Sequence, residues 1–172
     1  MSDSILSPMT QTALREVMAE IGPGHEVIEV GGWLGESALL LVGLGAIRVY
    51  SIDTWLGMPE MDDFSEMARC YEIFLERTAG KPIEPIRRDS VSGLWTLFKR
   101  GVDPVLIFID GGHQYESAYA DVHCAIRLFP KAQLVLDDRP ANDRECERGY
   151  REAAEKFGRT LSGGDWVGRI SP

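Results

Sequence analysis

Two apolar runs in this chain end in acid. Val105-Leu-Ile-Phe-Ile leads into Asp110-Gly-Gly-His113, and Gln133-Leu-Val-Leu leads into Asp137-Asp138. A short, nearly all-apolar run is the pattern of a strand buried on both faces, as in a parallel sheet. Between them lies a helix-length segment, Tyr115 to Leu128. Strand, helix, strand makes a right-handed crossover with parallel strands, roughly 5 Å apart where they are adjacent. Asp110, Asp137 and Asp138 are therefore expected at one edge of the sheet, at the carboxyl ends where open α/β folds bind ligands. Acids gathered so closely repel one another unless a cation, a proton or a donor-rich ligand sits among them.

A second group of residues surrounds a glycine-rich turn. Val27-Ile-Glu29-Val-Gly31-Gly32-Trp-Leu-Gly35-Glu-Ser37 ends a strand and opens a helix. Glycines there let the backbone turn tightly and approach a ligand closely. A dinucleotide turn, G-x-G-x-x-G counted from Gly31, requires glycine where this chain has Trp33 and Glu36. Glu36 would set a negative charge where a diphosphate must lie. No Gly-Lys-Ser/Thr follows, which excludes a P-loop. The next strand ends in Asp53-Thr54-Trp55. Asp53 lies 24 residues beyond Glu29, near the separation at which a second-strand acid reaches ribose hydroxyls. The third ends in Arg87-Arg88-Asp89-Ser90, where the acid and the serine either contact a ligand or cap the following helix.

These residues need a scaffold of alternating strands and helices. Apolar spacing predicts helices over Thr10–Ile21, Ser37–Val42, Phe64–Arg77, Val91–Lys99, Tyr115–Leu128 and Asp143–Phe157. Strands are expected at Glu26–Val30, Ala46–Ile52 and Lys81–Arg87, besides the two acid-ended runs. Pro82 and Pro85 suit the third strand to a sheet edge. Arg159–Leu161 and Asp165–Ile170 read as a closing hairpin through Ser162-Gly-Gly164. The expected fold is an α/β, Rossmann-like domain: a mostly parallel seven-stranded sheet with helices on both faces and a C-terminal antiparallel hairpin. One domain is expected over residues 1–172, with a helix and turn over 1–24 and the core over 25–172.

The Glu29, Gly31, Gly35 turn resembles the first motif of class I S-adenosylmethionine-dependent methyltransferases. Asp110-Gly-Gly-His113-Gln-Tyr115-Glu116, with Asp121 beyond it, is similar to the D-G-x-H-x-Y-E…D segment of one branch. That branch is the small, metal-dependent O-methyltransferases related to the macrocin and aminocoumarin sugar enzymes. Asp53-Thr-Trp55, Asp89-Ser90 and Asp137-Asp138 fit it as well, so the resemblance runs from about Glu26 to Asp138. It implies that Glu29, Gly31, Gly32, Gly35, Ser37, Asp53, Thr54, Trp55, Asp89, Ser90 and Asp110 surround S-adenosylmethionine, with Asp89 or Ser90 at the adenine. It implies Mg²⁺ at Asp110, Asp137 and Asp138, and a catalytic role for Asp110 and for His113 as base, the alternative for His113 being structural. Trp55, Met58 and Met61 of the loop from Trp55 to Asp63 either cover the pocket or pack into the core, and Arg139 and Arg144 beside the acid pair either bind an anionic acceptor group or balance its charge. Lys131-Ala132 departs from the branch, which often has Gly-Gly there.

The implied partner is a small-molecule acceptor, a sugar or another hydroxylated metabolite. A net charge of −9 argues against nucleic acid or an anionic membrane surface, and no apolar stretch is long enough to span a bilayer. The first residues carry no basic region of a signal peptide. Cys70, Cys124 and Cys146 have no metal-type spacing and read as free thiols of a reducing, cytoplasmic setting. A homodimer is one expected assembly, since the N-terminal region is only about one helix long and a lid can come from a second subunit. Rival functions share the sequence features: an S-adenosylmethionine-binding sensor or partner subunit of the same fold without catalysis, methyl transfer without metal in which Asp137 and Asp138 orient the acceptor, and a nicotinamide oxidoreductase, against which Trp33 and Glu36 argue.

Overall fold

The computed structural model describes residues 6–56, 64–137, 144–164 and 167–172. Helix α1 (Pro8–Ile21) precedes β1 (Glu26–Val30), α2 (Glu36–Gly43), β2 (Arg48–Asp53), α3 (Phe64–Thr78), β3 (Ile83–Arg87) and α4 (Ser90–Lys99). There follow β4 (Leu106–Ile109), α5 (Tyr115–Leu128), β5 (Gln133–Leu136), α6 (Arg144–Glu155), β6 (Leu161–Gly163) and β7 (Gly168–Ile170). The strands form one seven-stranded sheet in the order β3-β2-β1-β4-β5-β7-β6. The first five run parallel, and β7 is antiparallel to both β5 and β6. The expected fold class is therefore the observed one, and β3, with Pro85 inside it and Pro82 just ahead of it, is an edge strand.

Alternation along the buried strands sends side chains to two separate cores. Val27, Val49, Leu106, Phe108 and Val135 pack under Leu14, Val17 and Met18 of α1 and Ala38 and Leu41 of α2. Ile28, Ile52, Ile107, Ile109, Leu134 and Leu136 pack on the other face against Leu94 and Leu97 of α4, Val122 and Ile126 of α5, and Tyr150 of α6. Each strand is apolar on both sides because it serves both layers. Fully burying one such aliphatic side chain contributes about 1.5–3 kcal/mol.

Register delivers the strand ends to one row. Val30 pairs with Ile52 and Ile109, and Ile109 with Leu136. The ladder continues one residue further. The Gly31 amide donates to Ile52 O at 2.9 Å, that of Asp110 to Val30 O at 2.8 Å, and that of Asp137 to Ile109 O at 2.9 Å. Gly31, Asp110 and Asp137 thus stand side by side just past three adjacent strands.

Some boundaries differ from expectation for local reasons. Helix α1 begins at Pro8 because the Ser7 hydroxyl caps it, accepting from the Thr10 amide at 3.1 Å. Proline suits the first helical position, whose N–H has no partner in any case. The Ser37 hydroxyl does not cap α2; the N-cap is Gly35 at φ 82°. Ser162 and Gly163 belong to β6 rather than to a turn, since both pair with β7. Asp165 lies outside the described residues, as do Met58, Met61, Asp138 and Arg139; of the Arg144 side chain nothing is described.

Candidate active site

A cavity of about 680 Å³ opens at the carboxyl ends of the parallel strands, a size typical of small-molecule sites. Its wall includes Gly31, Asp53, Thr54, Trp55, Asp89, Ser90, Asp110 and His113 together with Asp137. The chain thus brings together most of the residues whose types suggested chemistry.

The turn after β1 is built by a close backbone approach. Gly31 has φ 94°, and a β-carbon there would lie 1.8 Å from the Asp110 carbonyl oxygen. Only glycine fits both constraints. Gly32 faces Ser51 in the same manner, with a β-carbon meeting its Oγ at 2.5 Å.

Four residues assigned to the cofactor stand behind this wall and not in it: Glu29, Gly32, Gly35 and Ser37. Glu29 is fully buried, and its two carboxylate oxygens accept the hydroxyls of Ser37 and Ser51. It ties β1 to β2 and to the start of α2. Burial raises its pKa to about 7, against the opposing pull of the two serine hydrogen bonds. It does not line the cavity, where the resemblance set it against the ligand.

Asp53 has a double position. It lines the cavity, yet it accepts three backbone amides: Gly32 at 3.0 Å and Trp33 at 2.9 Å on Oδ2, and Trp55 at 2.7 Å on Oδ1. Trp33 and Trp55 both have left-handed backbones, φ 39° and 48°. Such residues each cost about 1–3 kcal/mol unless their surroundings fix them. The Asp53 carboxylate does so, and the Trp55 indole adds a hydrogen bond to Trp33 O at 2.8 Å. Trp55 is 3 % exposed, and its ring packs on Tyr71 and Phe74 with ring centroids 4.8 Å away in both cases. Trp55 is thus an anchored wall, not a loose cover.

At the end of β3, Asp89 caps α4 by accepting the Ser92 amide at 2.9 Å. That backbone hydrogen bond holds its carboxyl below the usual range. Ser90 is the first residue of the helix and donates its hydroxyl to Asp121 of α5. Asp121 also lines the cavity, is 2 % exposed, and is pushed up to about 7 by burial.

Asp137 is buried, and both its oxygens accept the hydroxyl of Thr10, at 2.7 and 2.8 Å. Thr10 in turn lies 2.8 Å from Ser7 Oγ, and Ser7 reaches the cavity. The N-terminus of α1 is thus part of the site, and its positive dipole end faces a carboxylate. Sequence reasoning missed this contact. The available signal was a threonine on the apolar stripe of Leu14, Val17 and Met18.

As to a metal, Asp110 and Asp137 present oxygen donors at neighbouring strand ends, the ligand type a hard cation prefers. Among the described residues, however, no group of three or more His, Cys, Asp or Glu side chains is placed to hold an ion. Asp138, the third expected ligand, lies outside the described residues, and Thr10 already engages Asp137. His113 lines the cavity just before α5, whose N-cap is Gln114. His123 lies away from it, between Tyr119 and Phe157.

Known structures share this fold at low identity. An S-adenosylmethionine-dependent methyltransferase from Agrobacterium tumefaciens aligns over 95% of this chain at TM-score 0.63 and 16% identity. This chain spans only 61% of that one, under two thirds. An O-methyltransferase from Bacillus cereus, solved with S-adenosylhomocysteine, aligns over 100% of this chain and 84% of its own, at TM-score 0.66 and 15% identity. The N-methyltransferase NodS from Bradyrhizobium japonicum, also with S-adenosylhomocysteine, aligns over 98% and 88%, at TM-score 0.66 and 16% identity. No curated protein matches the sequence, and no helix among the described residues is long and apolar enough to cross a membrane. The family model described as a methyltransferase domain matches residues 28–139, more than half of the chain, from the middle of β1 to just past β5. The chain belongs to this methyltransferase-domain family.

Proposed function

We propose that the chain transfers a methyl group from S-adenosylmethionine to a hydroxyl oxygen of a small molecule, a sugar or a similar hydroxylated metabolite. The observation that carries this reading is the charge of the cavity. Asp53, Asp89, Asp110, Asp121 and Asp137 line it, against a single described cation, Arg88. An acidic wall suits a sulfonium and an ammonium and opposes a diphosphate. The cofactor supplies a methyl group on a positively charged sulfur, ready for in-line displacement. Asp53 and the turn at Gly31 shape the ribose and methionine end, and Asp89 and Ser90 the adenine end. Asp110 and His113 face the acceptor, with His113 taking the hydroxyl proton as general base.

The reading extends to Mg²⁺ held by Asp110, Asp137 and Asp138, on the strength of an all-oxygen donor set. Such an ion lowers the pKa of a bound hydroxyl and fixes its direction. The hold of Thr10 on both Asp137 oxygens favours a second version, in which transfer needs no metal and Asp137 orients the acceptor. One assay separates them. Release of S-adenosylhomocysteine is followed over a panel of sugars and catechols, with Mg²⁺ or with chelator. Metal-stimulated turnover that is lost in Asp138→Ala, with cofactor affinity within a few fold, supports the metal version. Equal turnover under chelation supports the other. Cofactor binding with no turnover on any acceptor, with or without metal, would point to the sensor.

A further inference from the structure

We propose that Asp121 is a positioning residue that makes Ser90 read the cofactor's base, so that the site accepts an amino-bearing purine and rejects its deaminated form. The inference rests on the proposed cofactor, whose adenine that reading sets beside Ser90.

A serine hydroxyl has one proton and two lone pairs. Here the proton is given to Asp121, which leaves Ser90 Oγ with acceptor capacity only. Ser90 and Asp121 both line the cavity, so a ligand group meeting that oxygen must bring a hydrogen of its own. An exocyclic amino group does; a ring carbonyl in its place sets oxygen against oxygen. Polar sites reject such a partner more strongly than apolar pockets reject a size change, because a desolvated group is left unpaired.

The arrangement is built in, not incidental. Asp121 is a carboxylate on the apolar face of α5, beside Ala118, Val122 and Ala125. A buried acid in such surroundings costs stability unless it is hydrogen-bonded. Gly111 makes room for it: a β-carbon there would lie 3.2 Å from Asp121 Oδ2. The titratable groups whose charge is coupled to it are Asp89 ahead of α4, Cys124 on α5 and Tyr150 on α6. Burial sets its carboxyl at about 7, so the ionised, accepting form prevails in mildly alkaline solution.

The test is calorimetric titration at about pH 8.5 with S-adenosylhomocysteine and with S-inosylhomocysteine, its deaminated form. Wild type is expected to prefer the amino ligand by about tenfold or more. Asp121→Ala frees the Ser90 proton to turn into the cavity, and the preference falls to about twofold or less. Asp121→Asn keeps a carbonyl acceptor for Ser90 and retains most of the preference. Ser90→Ala loses it as Asp121→Ala does, and the double variant loses no more than either single one. A merely structural Asp121 would weaken both ligands alike and leave their ratio unchanged, and that result overturns the inference. If Asp121→Ala does not fold, Asp121→Leu takes its place with the same two deciding outcomes, and a ratio retained in Ser90→Ala overturns the proposal in either case. Wild type that binds neither ligand refutes the proposed cofactor, and the inference with it. Wild type that binds both equally refutes the inference alone.

Discussion

Asp53→Asn is the sharpest probe of how the site is built. The carboxylate accepts amides on both oxygens, two on Oδ2 and one on Oδ1. Asparagine has a single acceptor oxygen. Turned toward Gly32 and Trp33, it sets its amide group against the Trp55 N–H; turned the other way, it abandons two amides. The better orientation still loses one charge-assisted bond, worth about 1.5–3 kcal/mol, and creates a donor–donor contact. Partial exposure of Asp53 reduces the first figure through solvent screening. Trp55, with its left-handed backbone, loses a support. The net expectation is about 2 kcal/mol of destabilisation, or about 4–8 °C in Tm for a chain of this size. Asp53→Ala should cost more, about 3–4 kcal/mol, since all three amides lose their acceptor. Urea denaturation gives the stability, and calorimetry with S-adenosylhomocysteine gives the affinity of the folded fraction. Both should fall together. A variant with unchanged Tm and abolished affinity would mean that Asp53 touches ligand without shaping the turn, and the reasoning would be wrong.

Two further predictions concern stability. Thr10→Val removes the hydroxyl from buried Asp137 and should cost about 1–3 kcal/mol, while Thr10→Ser restores most of it; equal Tm for the valine and serine variants in thermal melts would refute the contact. Glu29 and Asp121 ionise near 7 in the folded chain, above their ordinary 4.5 and 3.8. Their contribution is therefore complete below those ordinary values and is lost as pH rises through about 7. Glu84 and Asp89 are held low, by Arg100 and by the Ser92 amide respectively, and fail only in stronger acid. Tm should thus rise as pH falls from about 8 to about 5.5, and a flat or opposite profile in a melting series would contradict these assignments.

The sheet was legible because its strands carry an unambiguous pattern. Runs such as Leu106–Ile109 and Gln133–Leu136 are apolar on both faces, and the helical segment between them forces a parallel crossover. That logic alone placed Asp110 beside Asp137. The glycine turn was legible as well, since Trp33 and Glu36 are incompatible with a diphosphate. What stayed hidden was which side of the wall each residue occupies. Glu29 reads as a ligand group in a motif, but strand alternation turns it toward Ser37 and Ser51. Thr10 and Asp137 are 127 positions apart, and no local pattern links a helix N-terminus to the end of the fifth strand. Asp121 belonged to the matching segment without a role, because its partner Ser90 comes from another helix. Ser162 looked like part of a turn from composition, whereas its pairing with β7 decides otherwise.

The most direct test of the whole account is a titration of the wild-type chain with S-adenosylmethionine and, separately, with NAD. The acid-lined cavity predicts one S-adenosylmethionine bound per chain, displaced by S-adenosylhomocysteine, and no heat from NAD. A silent titration with S-adenosylmethionine, or saturable binding of NAD in its place, would contradict it.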